Sequence, residues 1–290
     1  MTSLRSFTLA ATVLMAGLTA AAVSQAQSDP DGWREPIAPS KIAGPIHYVG
    51  TRGLAVYLIE TPEGHILIDG AVPEAAPAIA RSIEASGHKL RDVKILLTTQ
   101  AHFDHVGSLA AIKEMTGARV LVMNGDDALL ASGGTKDYVF ASVTKFHYTP
   151  VKTDQVLRDG EVIRLGGVAL TAHRTPGHTP GTATYTTTIE DGGRKYSVVF
   201  PGSTSVNPGT RLVKNPSYPG ILEDYRTSLK YLDGLSPDIF LAAHGVAFDF
   251  EGKRARAEKD GARAFVDPDG YRRMLANSRA ALEKLVAAEQ

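Results

Sequence analysis

Short apolar runs broken by polar turns dominate the chain from residue 46 to residue 242. Residues 46–49 and 55–59 read as strands, Thr61-Pro62-Glu63-Gly64 as a turn, and residues 65–68 as a returning strand, an antiparallel meander. Residues 73–86 read as a helix, with Pro73 near its start and Gly87 after its end, where each is favoured. A buried strand over 93–98 runs into a polar segment, Gln100 to His105. A helix over 108–116, closed by Gly117, and a strand over 119–123 complete a βαβ unit. In such a unit a ligand site lies just past the carboxyl end of the first strand. The polar segment occupies that place.

The second half repeats this plan loosely. Strands over 162–165 and 168–172 lead into Thr175-Pro176-Gly177-His178-Thr179-Pro180-Gly181, and strands over 182–188 and 196–200 follow. A helix over 222–235 precedes a strand over 238–242 that ends at His244. From Pro268 onward the pattern is helical and amphipathic, whereas residues 32–40 look irregular. No interior linker interrupts the pattern, so one domain with two similar α/β halves is expected.

Composition narrows the class. The 290 residues are 43% hydrophobic and carry 31 basic and 31 acidic side chains, a balance that points away from nucleic acid or an anionic membrane as partner. Arg5 precedes an uncharged stretch over 7–23, then Ser24-Gln25-Ala26 and a polar segment. This is the layout of a secretory signal peptide over 1–26, preferred to a membrane anchor because the apolar run is short and lacks a stop-transfer flank. The mature chain would be 27–290, exported to the periplasm. There is no cysteine, which excludes a thiolate nucleophile or thiolate zinc ligand.

Nine histidines remain to be placed. His47, His65, His88 and His147 read as structural or surface residues, and His173 as a structural residue within its strand. His102, Asp104 and His105 fall together after a buried strand, where a loop can turn their side chains to one point. Imidazole and carboxylate are good zinc donors. The rival reading is a polar loop with Asp104 capping the next helix. His178 sits in a turn stiffened by Pro176, Gly177, Pro180 and Gly181, and His244 follows another apolar strand. Three strand ends would gather these groups on one edge.

In these residues the chain resembles the metallo-β-lactamase superfamily, whose His-X-His-X-Asp-His motif appears as Gln100-Ala101-His102-Phe103-Asp104-His105, followed by His178 and His244. Ile66-Leu67-Ile68-Asp69-Gly70 is similar to the family's early strand ending in Asp. The turn around His178, the lack of cysteine, Gly202-Ser203-Thr204-Ser205, Asn215-Pro216-Ser217-Tyr218-Pro219 and Glu223-Asp224-Tyr225 look most like the third subclass of class B β-lactamases, in its glutamine-variant branch. The resemblance implies an αββα sandwich, two mixed β-sheets flanked by helices. It implies two zinc ions, the first held by Gln100, His102 and His178 and the second by Asp104, His105 and His244. Gln100 stands where the motif has its first His; an amide oxygen is a weaker donor than imidazole, so the first site is expected to be the weaker. Asp69 would orient the metal loop. Ser203 and Ser205 would hold a substrate carboxylate.

The activity so implied is hydrolysis of the β-lactam ring of penicillins, cephalosporins or carbapenems to a ring-opened β-amino acid. Water activated on zinc would attack, and Asp104 would orient it and take its proton. The expected partner is thus a small-molecule β-lactam, with no membrane contact after signal cleavage and a monomeric protein. By fold-level analogy, segments around Trp33 and over 139–152 would cover the cleft. Two rival readings are a lactone or thioester hydrolase of the same fold and a non-catalytic zinc-binding protein. Members of the first group usually carry an additional metal-bridging Asp, where this chain has Pro201-Gly202-Ser203.

Overall fold

A computed structural model describes residues 32–290; the signal-peptide expectation over 1–26 lies outside the described residues. Two mixed sheets face each other, with helices on both outer sides. The first sheet has seven strands in sequence order: β1 (Ser40–Ala43), β2 (Ile46–Tyr48), β3 (Tyr57–Thr61), β4 (Gly64–Ile68), β5 (Val93–Leu97), β6 (Arg119–Met123) and β7 (Gln155–Leu157). The pairs from β1 to β4 are antiparallel, so the meander forms as its turns dictate. From β4 to β7 the pairs are parallel, as the βαβ pattern requires.

Alternation along β4 to β6, broken at Val93 beside a register shift, sends apolar side chains to both faces of this sheet. Ile66, Ile68, Ile95, Leu97, Leu121 and Met123 point into the core between the sheets. Leu67, Val93, Leu96, Val120 and Val122 point the other way. That outer face is covered by α1 (Ala76–Ala85), by the single turn α2 (Phe103–Val106), by α3 (Leu109–Thr116) and by α4 (Asp127–Ala131). Near-continuous apolar strands are what two covered faces demand.

The second sheet runs β12-β11-β10-β9-β8, with β8 (Glu161–Leu165), β9 (Val168–Arg174), β10 (Ala183–Asp191), β11 (Arg194–Phe200) and β12 (Ile239–Phe240). Here the two halves differ more than the pattern implied. β8 to β11 are successive antiparallel hairpins, and only β12 is parallel to its neighbour. The short Gly166-Gly167 and Gly192-Gly193 links leave no room for crossover helices. The helix α5 (Ile221–Asp233) precedes β12, and α6 (Phe250–Asp260) and α7 (Pro268–Ala288) close the chain, with α7 packed on α5 and β12.

Several elements escaped the pattern, the five-residue α4 among them. β1 begins at the last residue of the stretch read as irregular; it is short and anchored by pairing to β2. β7 has one buried residue of three, too little for a period-2 signal. α6 buries only Phe250 and Lys253, so its apolar face is almost blank in sequence. At the other extreme, β6 has the predicted bounds, and α3 ends on Gly117 in the left-handed conformation at φ 69°.

Candidate metal centre

The carboxyl ends of β4 and β5 open onto one buried polar corner. Asp69 follows β4 with φ 64°, a left-handed backbone that Asp tolerates better than most residues. Its carboxylate accepts from Thr99 N and Thr99 Oγ1, both at 2.7 Å. The strained backbone is thereby clamped to the segment that leaves β5, and the same carboxylate stands 3.4 Å from His105 Nδ1.

The segment after β5 is not the open loop expected. His102 is the N-cap of α2, so Asp104 and His105 occupy a helical turn. Neighbours on a helix diverge by about 100°, yet the Asp104 carboxylate approaches the rings of both His105 and His244. Asp104 Oδ2 lies 3.3 Å from His105 Nε2 and 3.5 Å from His244 Nε2. The donor atoms of these three side chains all fall within 4.8 Å of one another. Asp104 does not cap α3; Ser108 takes the N-cap position there. His244 is positioned by the β-bridge between Leu54 and His244, which ties the strand end of β12 to the first sheet.

His102 and His178 form the second group. Their Nδ1 and Nε2 atoms face each other at 3.1 Å. Each ring has committed its other nitrogen: His102 Nε2 is 2.9 Å from Asp137 Oδ2, and His178 Nδ1 donates to the Ser205 carbonyl at 2.7 Å. A carboxylate and a carbonyl only accept, so both outer nitrogens carry protons, and a neutral His178 turns its Nε2 lone pair toward His102 Nδ1. Gly177, at φ 134°, lets the turn before His178 sit on the Tyr225 ring, where a Cβ would come within 2.7 Å. Gln100 is buried beside this pair, and its amide oxygen accepts from Ser203 N at 3.1 Å. The hydroxyls of Ser203 and Ser205 are 3.0 Å apart at the cleft.

The electrostatics follow from burial against close partners. Burial opposes ionisation of Asp104, but the nearby His105 outweighs it and, with His244 and His102, holds the carboxyl far below the usual range. Burial likewise opposes a charged His105, but Asp104 and then Asp69 push it up to about 10. Burial and the neighbouring His102 lower His178 to about 3, which leaves its imidazole neutral.

A divalent zinc-class cation fits these residues. Both nitrogens of His105 are buried without a hydrogen-bond partner among the described residues, although carboxylates stand near each. The inner nitrogens of His102 and His178 meet 3.1 Å apart at the cleft. Imidazole and carboxylate are the donors such an ion takes, with no thiolate needed.

Asp104 and His244 of the first group and Gln100, His102 and His178 of the second line one cleft of about 360 Å³. Its wall is aromatic: Phe103 stacks on Phe146 at 4.7 Å, Phe140 meets Phe146 edge-on at 5.0 Å, and Trp33 lies 6.0 Å from Phe103 and 5.6 Å from His244. The segments singled out by analogy, around Trp33 and over 139–152, do supply cleft residues. His173 lies away from the cleft, bonded to Thr186 and packed on Tyr231.

Two carboxylates escaped sequence reading. Asp126 accepts from Ala101 N, Thr179 Oγ1 and Gly181 N, and so joins the two histidine segments. Its place just past β6, at the same strand-end edge as Gln100, was an available signal. Asp137 lies in an irregular segment, where nothing local marked it.

Comparison with known proteins bears on the family and the fold. A family profile described as the metallo-beta-lactamase superfamily matches residues 49–244. The native FEZ-1 metallo-beta-lactamase from Legionella gormanii superposes with a TM-score of 0.86 at 42% identity, over 88% of this chain and 97% of that one. The class B3 di-zinc metallo-beta-lactamase LRA-12 from an Alaskan soil metagenome gives 0.85 at 35% identity, over 89% and 97%. Among curated sequences, the hydroxyacylglutathione hydrolase of Rhodopseudomonas palustris (strain BisB5) is 30% identical over 167 residues, 58% of this chain and 54% of that protein. That of Bradyrhizobium sp. (strain ORS 278) is 28% identical over 56% and 52%. The chain thus spans about half the length of these hydrolases.

Proposed function

The chain belongs to the metallo-β-lactamase superfamily, and on that premise we propose that it is a zinc-dependent hydrolase that opens the β-lactam ring of antibiotics. The observation that carries this reading is the likeness, over nearly the whole of both chains, to class B3-type lactamases at up to 42% identity. The likeness to the thioester-cleaving relatives covers about half their length.

Asp104, His105 and His244 would hold one zinc, and Gln100, His102 and His178 a second. Zinc bound there would acidify water and act as a Lewis acid toward the lactam carbonyl. Asp104, ionised at neutral pH, would orient the attacking water and take its proton. Asp69 would keep the His105 ring in place through its 3.4 Å approach to Nδ1. The Ser203 and Ser205 hydroxyls would receive the substrate carboxylate, while the aromatic wall excludes water and holds the apolar side groups. The ring nitrogen leaves with a proton, giving a β-amino acid. The protein would work as a monomer in the periplasm.

A second reading, thioester or lactone hydrolysis, is favoured by the curated relatives. One experiment separates the two: turnover of a chromogenic cephalosporin and of a hydroxyacylglutathione thioester, each with and without a chelator. Chelator-sensitive ring opening is expected for the cephalosporin, falling to background in His105→Ala and His244→Ala together with loss of zinc retention. Thioester turnover alone would overturn the β-lactam reading, and full cephalosporin turnover in either variant would overturn the ligand assignment.

A further inference from the structure

A second group of histidines lies at the opposite end of the first sheet, and the residues there were read as unremarkable in sequence. His47 is on β2, Glu60 on β3 and His65 at the start of β4. Register puts them on one face: His47 pairs with Leu58, Glu60 pairs with His65, and Leu58 pairs with Leu67 of the outer apolar cluster. His88 is brought over that face by the closure of α1. Gly87, at φ 89°, donates to the Glu84 carbonyl, and His88 N donates to Ile83 O at 3.2 Å. This paired closure fixes where the chain leaves the helix.

We propose that His47, Glu60 and His88 form a metal site for a zinc-class divalent cation, separate from the cleft, with His65 as the adjoining imidazole. Their donor atoms lie within 4.8 Å of one another, as close as those of Asp104, His105 and His244. Glu60 Oε2 stands 3.1 Å from His47 Nε2 and 3.0 Å from His88 Nε2. The His88 nitrogen is buried, and despite that distance it is out of line for a hydrogen bond. A carboxylate and an imidazole nitrogen close together but unbonded are the arrangement a shared cation resolves. The ring of His88 meets His47 edge-on at 4.9 Å and His65 at 4.8 Å. The Glu60 side chain is 39% exposed, which provides an entry path.

Four residue steps along β4 and its end carry the chain from His65 to Asp69, about 13 Å at strand rise. An ion here would act on the fold, cross-linking β2, β3 and the end of α1, and would not touch substrate. Two nitrogens and one oxygen suit zinc or its first-row neighbours better than calcium or magnesium.

The test counts metal rather than turnover. Chelator-stripped full-length protein, Glu60→Gln and His88→Ala are titrated with Zn2+ against a chromophoric competitor, and thermal unfolding is followed with and without Zn2+. Each variant should bind one equivalent fewer than the parent and lose part of the zinc-induced rise in Tm. Cephalosporin turnover at saturating zinc should stay unchanged. In His105→Ala the extra equivalent should persist, and adding Glu60→Gln should remove it, whatever the substrate of the cleft proves to be. Equal zinc counts in parent and Glu60→Gln, both folded by circular dichroism, would overturn the site; Glu60→Gln preserves side-chain shape and decides the matter if His88→Ala fails to fold.

Discussion

Thr179 donates its hydroxyl proton to Asp126 Oδ2 at 2.7 Å, across 53 positions of sequence and wholly out of solvent. The same oxygen accepts from Ala101 N at 2.8 Å, and its partner oxygen from Gly181 N at 2.7 Å. One carboxylate therefore braces the segments of His102 and His178 together.

Removing that brace should cost both stability and metal. Asp126→Ala strands three buried donors, each worth about 1–3 kcal/mol when left unsatisfied, so a loss of at least about 3 kcal/mol is expected. Asp126→Asn should fold yet retain less zinc, because its amide turns a donor toward a donor. Urea unfolding and metal content after dialysis measure the two effects; unchanged values in both would remove Asp126 from this role.

Replacing Gln100 by His should raise zinc occupancy of the His102–His178 group, since imidazole binds zinc more strongly than an amide oxygen. The gain is tempered by loss of the bond from Ser203 N. Zinc per protein after equal dialysis is the measurement, and no increase would count against the assignment of Gln100.

Ser203 and Ser205 hold the proposed metal ligands through backbone atoms, Ser203 N to Gln100 and Ser205 O to His178, while their hydroxyls bond each other at the cleft. Alanine at either position should spare zinc content. KM for a β-lactam should rise about tenfold, the loss of one hydrogen bond to a charged group, with kcat little changed. A fall in kcat at constant KM would place these side chains elsewhere in the reaction.

Lys253 is buried under Phe240 and Phe248, with its ammonium 3.0 Å from Asp267 in a poorly aligned ion pair. Removing only the carboxylate leaves a buried charge, so Asp267→Ala should cost about 3 kcal/mol, including its cap on Gly270 N, whereas Lys253→Met should be nearly neutral. Burial resists ionisation of Asp267, but Lys253 and the Gly270 N–H outweigh it and hold the carboxyl below its ordinary value. Its contribution is therefore complete above pH about 4 and is lost as pH falls through the lower folded value. The Tm deficit of Asp267→Asn should shrink on acidification, and a deficit constant from pH 7 to 3 would contradict this.

Local pattern carried much of the fold. Alternation along β4 to β6, Pro73 and Gly87 around α1, and Gly117 after α3 act within a few residues, so they are readable without tertiary structure. The donors His102, Asp104, His105, His178 and His244 were visible because each follows an apolar strand; that the end of antiparallel β9, ahead of His178, lies at the same edge was decided by the tertiary fold. The helical turn over Phe103–Val106 was not visible, because four residues carry no period. Pairing partners also lay beyond local reading. Whether His102 Nδ1 is a lone pair depends on Asp137, 35 positions away, and whether His47 and His88 are bland depends on a register and a helix end. Sequence thus determined which donors exist and which strand ends present them. Tertiary structure decided which nitrogens face one another and which carboxylates stand behind them, because hydrogen bonds and burial act between groups that the chain itself keeps far apart.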